Sequence, residues 1–421
     1  MLNICVFEDK GYVNLEPLVF LRPAYDLLLG INTLLQKIVN YYPHSNITLH
    51  CRNYLKNNVK ISYPNMIVNN INTATPGLFI NGRVVMNDDF YNYLAKIDTN
   101  YDTLYSFKGT VVALYLKEDS LAKMKQFLEL GNPDNKELFS FFREKCLCKE
   151  LDNIKVLNYL WDLVNLNENV LEEDFKFLNK GGIIKGDIHP YVAMHNESNI
   201  FIDKNTVVED FVVLNAHKGP IYIEENVVIE AHTRLEGPLY IGKNSAVLGG
   251  KIKASSIGPV CKVGGEISNS VFYKHSNKAH TGFIGHSYIG EWVNLGANTT
   301  NSNLKNTYGT VTLDNGREKI DTHQLFLGTF IGDCVKTGIN TVLNTGTIIG
   351  YGSSLFGAQL HPKYVAPFSF GETGKYQKQI LSKFFETSER VMKRRNKYLR
   401  ESEKAVIKWL YEQKVLNKNK E

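Results

Sequence analysis

Long apolar runs are missing from this chain. It holds 421 residues, 43% of them apolar, yet nothing approaches the roughly 20 consecutive apolar residues that span a bilayer. Nor does it open on a basic cluster followed by an apolar stretch, as a secretory leader would. Asn3 to Phe7 (Asn-Ile-Cys-Val-Phe) reads instead as a short buried strand closed by Glu8 and Asp9. The expectation is a cytoplasmic protein with no membrane partner. Cysteine is also sparse, with Cys5, Cys51, Cys146, Cys148, Cys261 and Cys334 scattered along the chain. Such scatter excludes a disulfide scaffold and leaves reduced thiols as the default. Cys146 and Cys148 lack the second pair that a structural zinc site needs. The net charge of +5 hides an asymmetry: residues 372–421 carry fourteen Lys or Arg against seven Asp or Glu, so the remainder is slightly acidic. Because those charges alternate with acids and apolar residues at helical spacing, the tail reads as a solvated helix rather than a nucleic-acid-binding arm.

What is present is a repeat. Aliphatic residues recur every sixth position at Ile223, Ile229, Leu235, Ile241 and Val247, then at Phe283, Ile289 and Leu295, then at Ile331, Thr337, Leu343, Ile349 and Leu355. Neither a helix nor a lone strand has that period. Six residues supply one short strand and one turn, so three units close a triangular coil with the aliphatic side chain pointing inward on each face. Glycine following the aliphatic residue, as in Ile241-Gly242 and Ile349-Gly350, suits a corner that a Cβ would crowd. The stride breaks between Asn298 and Phe326, where polar, Gly-containing sequence predicts a projecting loop.

Residues 1–150 alternate strand and helix signals: Asn3–Phe7, the amphipathic stretch Tyr25–Val39, Ile47–Cys51, Leu78–Ile80, Asp88–Lys96 and Thr110–Leu116. An α/β sheet domain is expected there. Leu121–Phe175 reads as mostly helical, with residues 151–182 as a helical connector. The coils should occupy 183–370 and a basic helical tail, of one helix or two, 371–421.

His280 sits in Lys278-Ala279-His280-Thr281-Gly282-Phe283, just ahead of a regular coil. An imidazole titrates near neutrality and is suited to take the proton of an amine attacking a thioester. The stretch Lys278–Asn306 resembles the acetyltransferase site of bifunctional N-acetylglucosamine-1-phosphate uridyltransferases. It is more similar still to their bacterial alternative branch, which joins a UDP-N-acetylglucosamine diphosphorylase to a glucosamine-1-phosphate acetyltransferase. Pro17-Leu18, Arg22-Pro23 and Gly30-Ile31 also fit that branch. The resemblance implies an α/β nucleotidyltransferase-like (Rossmann-like) domain, a left-handed parallel β-helix and a C-terminal helix. It further implies a cytoplasmic homotrimer acting in UDP-N-acetylglucosamine and cell-envelope synthesis.

By position, the resemblance makes His280 the general base, places Phe283 where a sugar-contacting tyrosine is usual, and makes Asn294 and Asn303 substrate-binding. Ser268 stands where a phosphate-binding lysine is expected, with Lys278, Lys305 or Lys274 as substitutes, and Leu304 replaces a tyrosine. The implied donor is acetyl-CoA. In the amino-terminal half no Gly-rich loop follows Phe7. Arg22 is the expected phosphate cation for a nucleoside triphosphate such as UTP, with Asn81 and Arg83 beside it. A Mg²⁺ would sit near Asn81 and Asn165, although asparagine brings no charge to the metal. Three other readings stand beside this one. They are nucleotidyl transfer alone on a trimerising prism, a non-catalytic sugar-nucleotide-binding scaffold, and a zinc site of gamma-class carbonic anhydrase type. The zinc site would use His275 and His280 with His232, His286 or a ligand from another subunit.

Overall fold

The computed structural model describes residues 2–71 and 75–416, so positions 417–421 of the expected tail lie outside the described residues. It divides into two compact units. The first comprises the chain to Leu27, Asn32–Asp162 and Glu401–Val406; the second comprises Leu28–Ile31, Leu163–Arg400 and the chain from Ile407.

The first unit is built on seven strands: β1 (Asn3–Phe7), β2 (Asn46–Leu49), β3 (Ile67–Val68), β4 (Gly77–Asn81), β5 (Thr103–Phe107), β6 (Thr110–Leu116) and β7 (Leu147–Glu150). Their order is β3-β2-β1-β4-β6-β5-β7, parallel except for β6, which runs antiparallel to β4 and β5. β1, β4 and β6 are near-continuous apolar runs because both faces of this sheet are covered. On one face Phe7, Phe79 and Leu114 pack with Leu121, Met124, Leu138 and Phe142 of two helices, Glu118–Glu129 and Asn135–Arg143.

Two expectations are corrected here. The stretch Tyr25–Val39 is not one helix: Leu28–Leu29 and Asn32–Thr33 are short strands, and the helix Leu34–Tyr41 starts only where Thr33 and Gln36 form a capping box. The region Leu121–Phe175 is interrupted by β7, and the unit boundary falls at Asp162 instead of residue 150. Residues beyond β7 stay with the sheet through backbone bonds from Leu151 N to the Ser106 carbonyl (2.7 Å) and from Leu157 N to the Arg83 carbonyl (2.9 Å).

The second unit is a parallel β-helix with three inward columns. Leu214, Leu235, Ile252, Ile267 and Ile284 line the first face. Ile223, Ile241, Ile257, Phe272, Ile289, Ile331 and Ile349 line the second. Ile229, Val247 and Val263 line the third, which continues in register through Lys278. All the apolar members are buried to 0% exposure. Gly242 and Gly350 are small because the next coil passes close: a Cβ would lie 2.6 Å from Pro259 N and 2.3 Å from Pro367 N respectively. The second series in the sequence is corrected by one place. Ile284, paired with Ile267, is the inward residue, and Phe283 is half-buried outside it.

Between strands Tyr288–Ile289 and Thr329–Ile331, which pair directly, the interrupting segment leaves the prism and carries an antiparallel hairpin, Thr312–Asp314 with Lys319–Asp321. The helix Asn167–Leu178 and the segment 28–31 cover the second face. Asn167 Oδ1 accepts from Gly30 N (2.8 Å) and Ser256 Oγ (3.0 Å), and Tyr288 Oη lies 3.1 Å from Leu28 N. The tail forms two helices, Leu381–Lys393 and Glu401–Tyr411. No helix among the described residues is long and apolar enough to cross a membrane.

Candidate functional site

One coil fixes where its candidate residues can act. Lys278 lies on the third face, Ile284 on the first and Ile289 on the second. His280 therefore occupies the corner between the third and first faces, where it is exposed. Phe283 follows on the outside of the first face. His286 takes the next corner with a left-handed backbone (φ +50°).

Phe283 and Asn303 are brought together: a Cβ built on Gly285 would stand 2.4 Å from Phe283 Cζ and 2.8 Å from Asn303 Nδ2. Asn303 Nδ2 donates to His286 Nδ1 (2.9 Å), which places that ring's proton on Nε2. His286 also stacks on Phe326 at 5.4 Å. Burial and the nearby Lys253 ammonium pull His286 down to about 4, so it is neutral at pH 7. The Asn303 amide oxygen remains an acceptor with no protein partner among the described residues. The first face thus carries His280 at one edge, Phe283 in the middle and Asn303 at the other edge. His286 holds the Asn303 amide; sequence reading gave it no part in this site, because their bond joins positions in successive coils.

Asn294 goes elsewhere. It is exposed on the outside of the third face, bridging Asn277 and Lys336. Lys305 donates from Nζ to the Thr310 carbonyl within the projecting segment.

Lys278, expected to meet substrate phosphate, is corrected. It occupies an inward position below Val263 and is 1% exposed. Its Nζ donates to the carbonyls of Gly264 (2.9 Å) and His280 (2.7 Å). An ammonium in this position cannot reach a ligand; it pins the corner that presents His280. Burial lowers its pKa to about 8. A folded-state value below the unfolded value of about 10.5 makes the folded form the weaker proton binder, so stability should rise with pH between about 8 and 10.5. Urea titrations across that range should show the rise in the wild type and a flatter profile in Lys278→Met. Parallel profiles would show that Lys278 is not desolvated.

In the first unit, the order β2-β1-β4 makes the carboxyl ends of β1 and β4 the topological switch point, where α/β sheets open a ligand crevice. Glu8 and Asp9 leave β1 there, both 0% exposed, and Asn81 ends β4. The crevice is filled by ion pairs. Arg83 grips Asp9 in a fork, Nε to Oδ1 and Nη2 to Oδ2, both at 2.7 Å. Arg52 holds Glu8 at 3.0 Å. Asn81 Nδ2 donates to Asp9 (2.8 Å) and to the Val111 carbonyl (3.0 Å), while its Oδ1 accepts from Arg83 N (3.0 Å). Arg22 is 6% exposed, donating from Nη1 to the Leu18 carbonyl (2.8 Å). The expectation that it presents a cation to phosphate is corrected: it is folded into the protein.

Residues 4–183 match the sugar nucleotidyl transferase family. Curated relatives extend the likeness. The bifunctional protein GlmU of Methanococcus vannielii is 28% identical over 217 residues, covering 48% of this chain and 44% of that protein. A bifunctional sugar-1-phosphate nucleotidylyltransferase/acetyltransferase of Sulfurisphaera tokodaii is 34% identical over 154 residues, covering 34% and 36%. The chain thus spans less than half the length of these relatives. Among solved structures, UDP-N-acetylglucosamine acyltransferase from Campylobacter jejuni aligns over 52% of this chain and 94% of its own at 14% identity, with a TM-score of 0.24. That superposition is too loose to add to the fold.

The two metal expectations meet this geometry badly. A Mg²⁺ near Asn81 would need free oxygen ligands, but the Asn81 oxygen and the Asp9 carboxylate are both engaged by Arg83. Asn165, exposed on the second unit, donates to Gln324 (3.0 Å). For zinc, His275, His280 and His286 occupy the three different corners of one coil and cannot converge within a chain. His275 instead stacks on Trp292 (4.4 Å) and meets Glu291 at 3.2 Å. His232 stacks on Phe211. Among the described residues no three His, Cys, Asp or Glu side chains gather in metal-binding fashion.

Proposed function

We propose that this chain transfers an acetyl group from acetyl-CoA to the amine of a hexosamine 1-phosphate, with His280 as general base. The observation that carries the reading is the exposed imidazole on a pinned prism corner, beside a first face that also holds Phe283 and Asn303. The amine lone pair attacks the thioester carbonyl carbon while His280 accepts the proton leaving nitrogen. The carbon–sulfur bond then breaks, and the imidazolium returns the proton to the departing thiolate. Asn303 offers its free amide oxygen to a sugar hydroxyl, and Phe283 provides an apolar wall. The likeness to a bifunctional sugar-1-phosphate nucleotidylyltransferase/acetyltransferase supports acetyl transfer in a sugar-phosphate setting. Thiol release followed over a panel of amino sugars should occur with glucosamine 1-phosphate. Silence with every amine would remove the acyltransferase reading.

Asn294 stands on the third face while Phe283 and Asn303 stand on the first, and we take a site using all of them to be shared between copies of the chain. We assign a homotrimer, in keeping with prism faces that assemble about a three-fold axis. Light scattering should return three times 47.8 kDa; a strict monomer at micromolar concentration would contradict the shared site.

Nucleotidyl transfer from UTP to a sugar 1-phosphate is the second activity assigned, to residues 4–183, and the family match supports it. Pyrophosphate release from UTP in the presence of N-acetylglucosamine 1-phosphate tests this half separately. Both substrates are cytoplasmic metabolites, and the cytoplasm is the compartment we assign.

A further inference from the structure

Outside the third face of the prism, a cavity of about 420 Å³ opens between the coils and the helix Leu381–Lys393. Its floor is a ladder of outward residues from successive coils, Lys262, Asn277, Asn294 and Lys336. Arg394 and Arg395, at the end of that helix, complete the wall beside His275 and Trp292. Four cations therefore face one concavity whose lining includes no carboxylate. Lys336 Nζ bonds the Cys334 carbonyl (3.2 Å) and Arg395 Nη2 bonds Asn277 Oδ1 (3.0 Å). None of the four makes an ion pair among the described residues. Nearby Glu291 is already shared by Lys274 (3.8 Å) and His275 (3.2 Å). Burial lowers the Lys336 pKa, so the fold holds a partly desolvated cation there with no anion beside it.

Uncompensated positive charge gathered in one concavity concentrates anions. Asn277 Nδ2 donates to Asn294 Oδ1 (3.5 Å), which leaves the Asn294 amide donor facing the same concavity, and the volume lies within the range of small-molecule sites. We propose that this cavity binds the phosphate groups of a small phosphorylated ligand, with Lys262, Lys336, Arg394 and Arg395 as its cations. The site rests on geometry within one chain and does not need the acyltransferase reading. It does assign work to two arginines of the basic tail.

Two sources share this chemistry: the phosphate of a sugar 1-phosphate and the diphosphate of a coenzyme or nucleotide. Calorimetric titration of the full chain with pyrophosphate should show one saturable site per chain that weakens as salt rises. Lys336→Gln and Arg394→Gln should each weaken it by about tenfold or more, the usual effect of removing a charge-assisted hydrogen bond. Circular dichroism should confirm that both variants stay folded. Glucosamine 1-phosphate and coenzyme A, titrated separately, distinguish the sources, since the natural ligand should bind more tightly than pyrophosphate and lose affinity in the same variants. Absence of pyrophosphate binding, or affinity unchanged in both variants, overturns the proposal. Binding that survives while thiol release is nil would leave this site standing and sink only the acyltransferase assignment.

Discussion

Replacing His280 with alanine should lower thiol release from acetyl-CoA, in the presence of glucosamine 1-phosphate, by roughly 10² to 10⁴-fold, the contribution of a positioned general base. The imidazole is exposed and contributes nothing to the columns of Ile, Leu and Val that hold the prism. The melting temperature should therefore barely move. Raising the pH should recover part of the lost rate, because more of the substrate amine is then already neutral and needs no base. A variant that loses activity together with secondary structure would point to a folding role for the corner. One that keeps full activity would place the base elsewhere.

Arg83→Ala should be among the most destabilising single changes in the first unit, costing about 3–5 kcal/mol, because it leaves an unpaired carboxylate in the interior. Asp9 is 0% exposed and receives both forks of the Arg83 guanidinium at 2.7 Å. Arg83 also donates from Nη1 to the Leu157 carbonyl (2.6 Å), tying the segment after β7 to the sheet. Combining Arg83→Met with Asp9→Asn should cost less than Arg83→Ala alone, since the stranded charge is gone. Denaturant unfolding monitored within the first unit reads both. If Arg83→Ala stays within about 0.5 kcal/mol of the wild type, the ordinary range for a surface substitution, the crevice is open to water and Asp9 is available to a ligand.

The prism was legible because its core repeats in sequence. Ile223, Ile229, Leu235, Ile241 and Val247 read inward at a constant stride, and each is buried. Reading failed where chemistry or spacing broke that rule. Lys278 holds an inward position that a search for aliphatic residues passes over. Phe283 falls on the six-residue stride in place of Ile284 because Ile284 and Ile289 stand only five positions apart around the His286 corner. The switch-point crevice was illegible for a different reason. Glu8 and Asp9 find their partners 44 and 74 positions away, in Arg52 and Arg83, and no local pattern announces a pairing made by sheet topology. Arg22 and Asn81 looked available for phosphate and metal because their neighbours in space were unknown. The cavity on the third face escaped for the same reason: Lys262, Lys336 and Arg394 come from two separate coils and the tail.

Product mass is the most direct test of acetyl transfer to an amino sugar phosphate. The full chain would be incubated with acetyl-CoA and glucosamine 1-phosphate, and the sugar phosphate then weighed by mass spectrometry. A product heavier by one acetyl group should form in step with free coenzyme A and be nearly absent with His280→Ala. An unchanged sugar phosphate, or acetylation that proceeds equally well without His280, would contradict it.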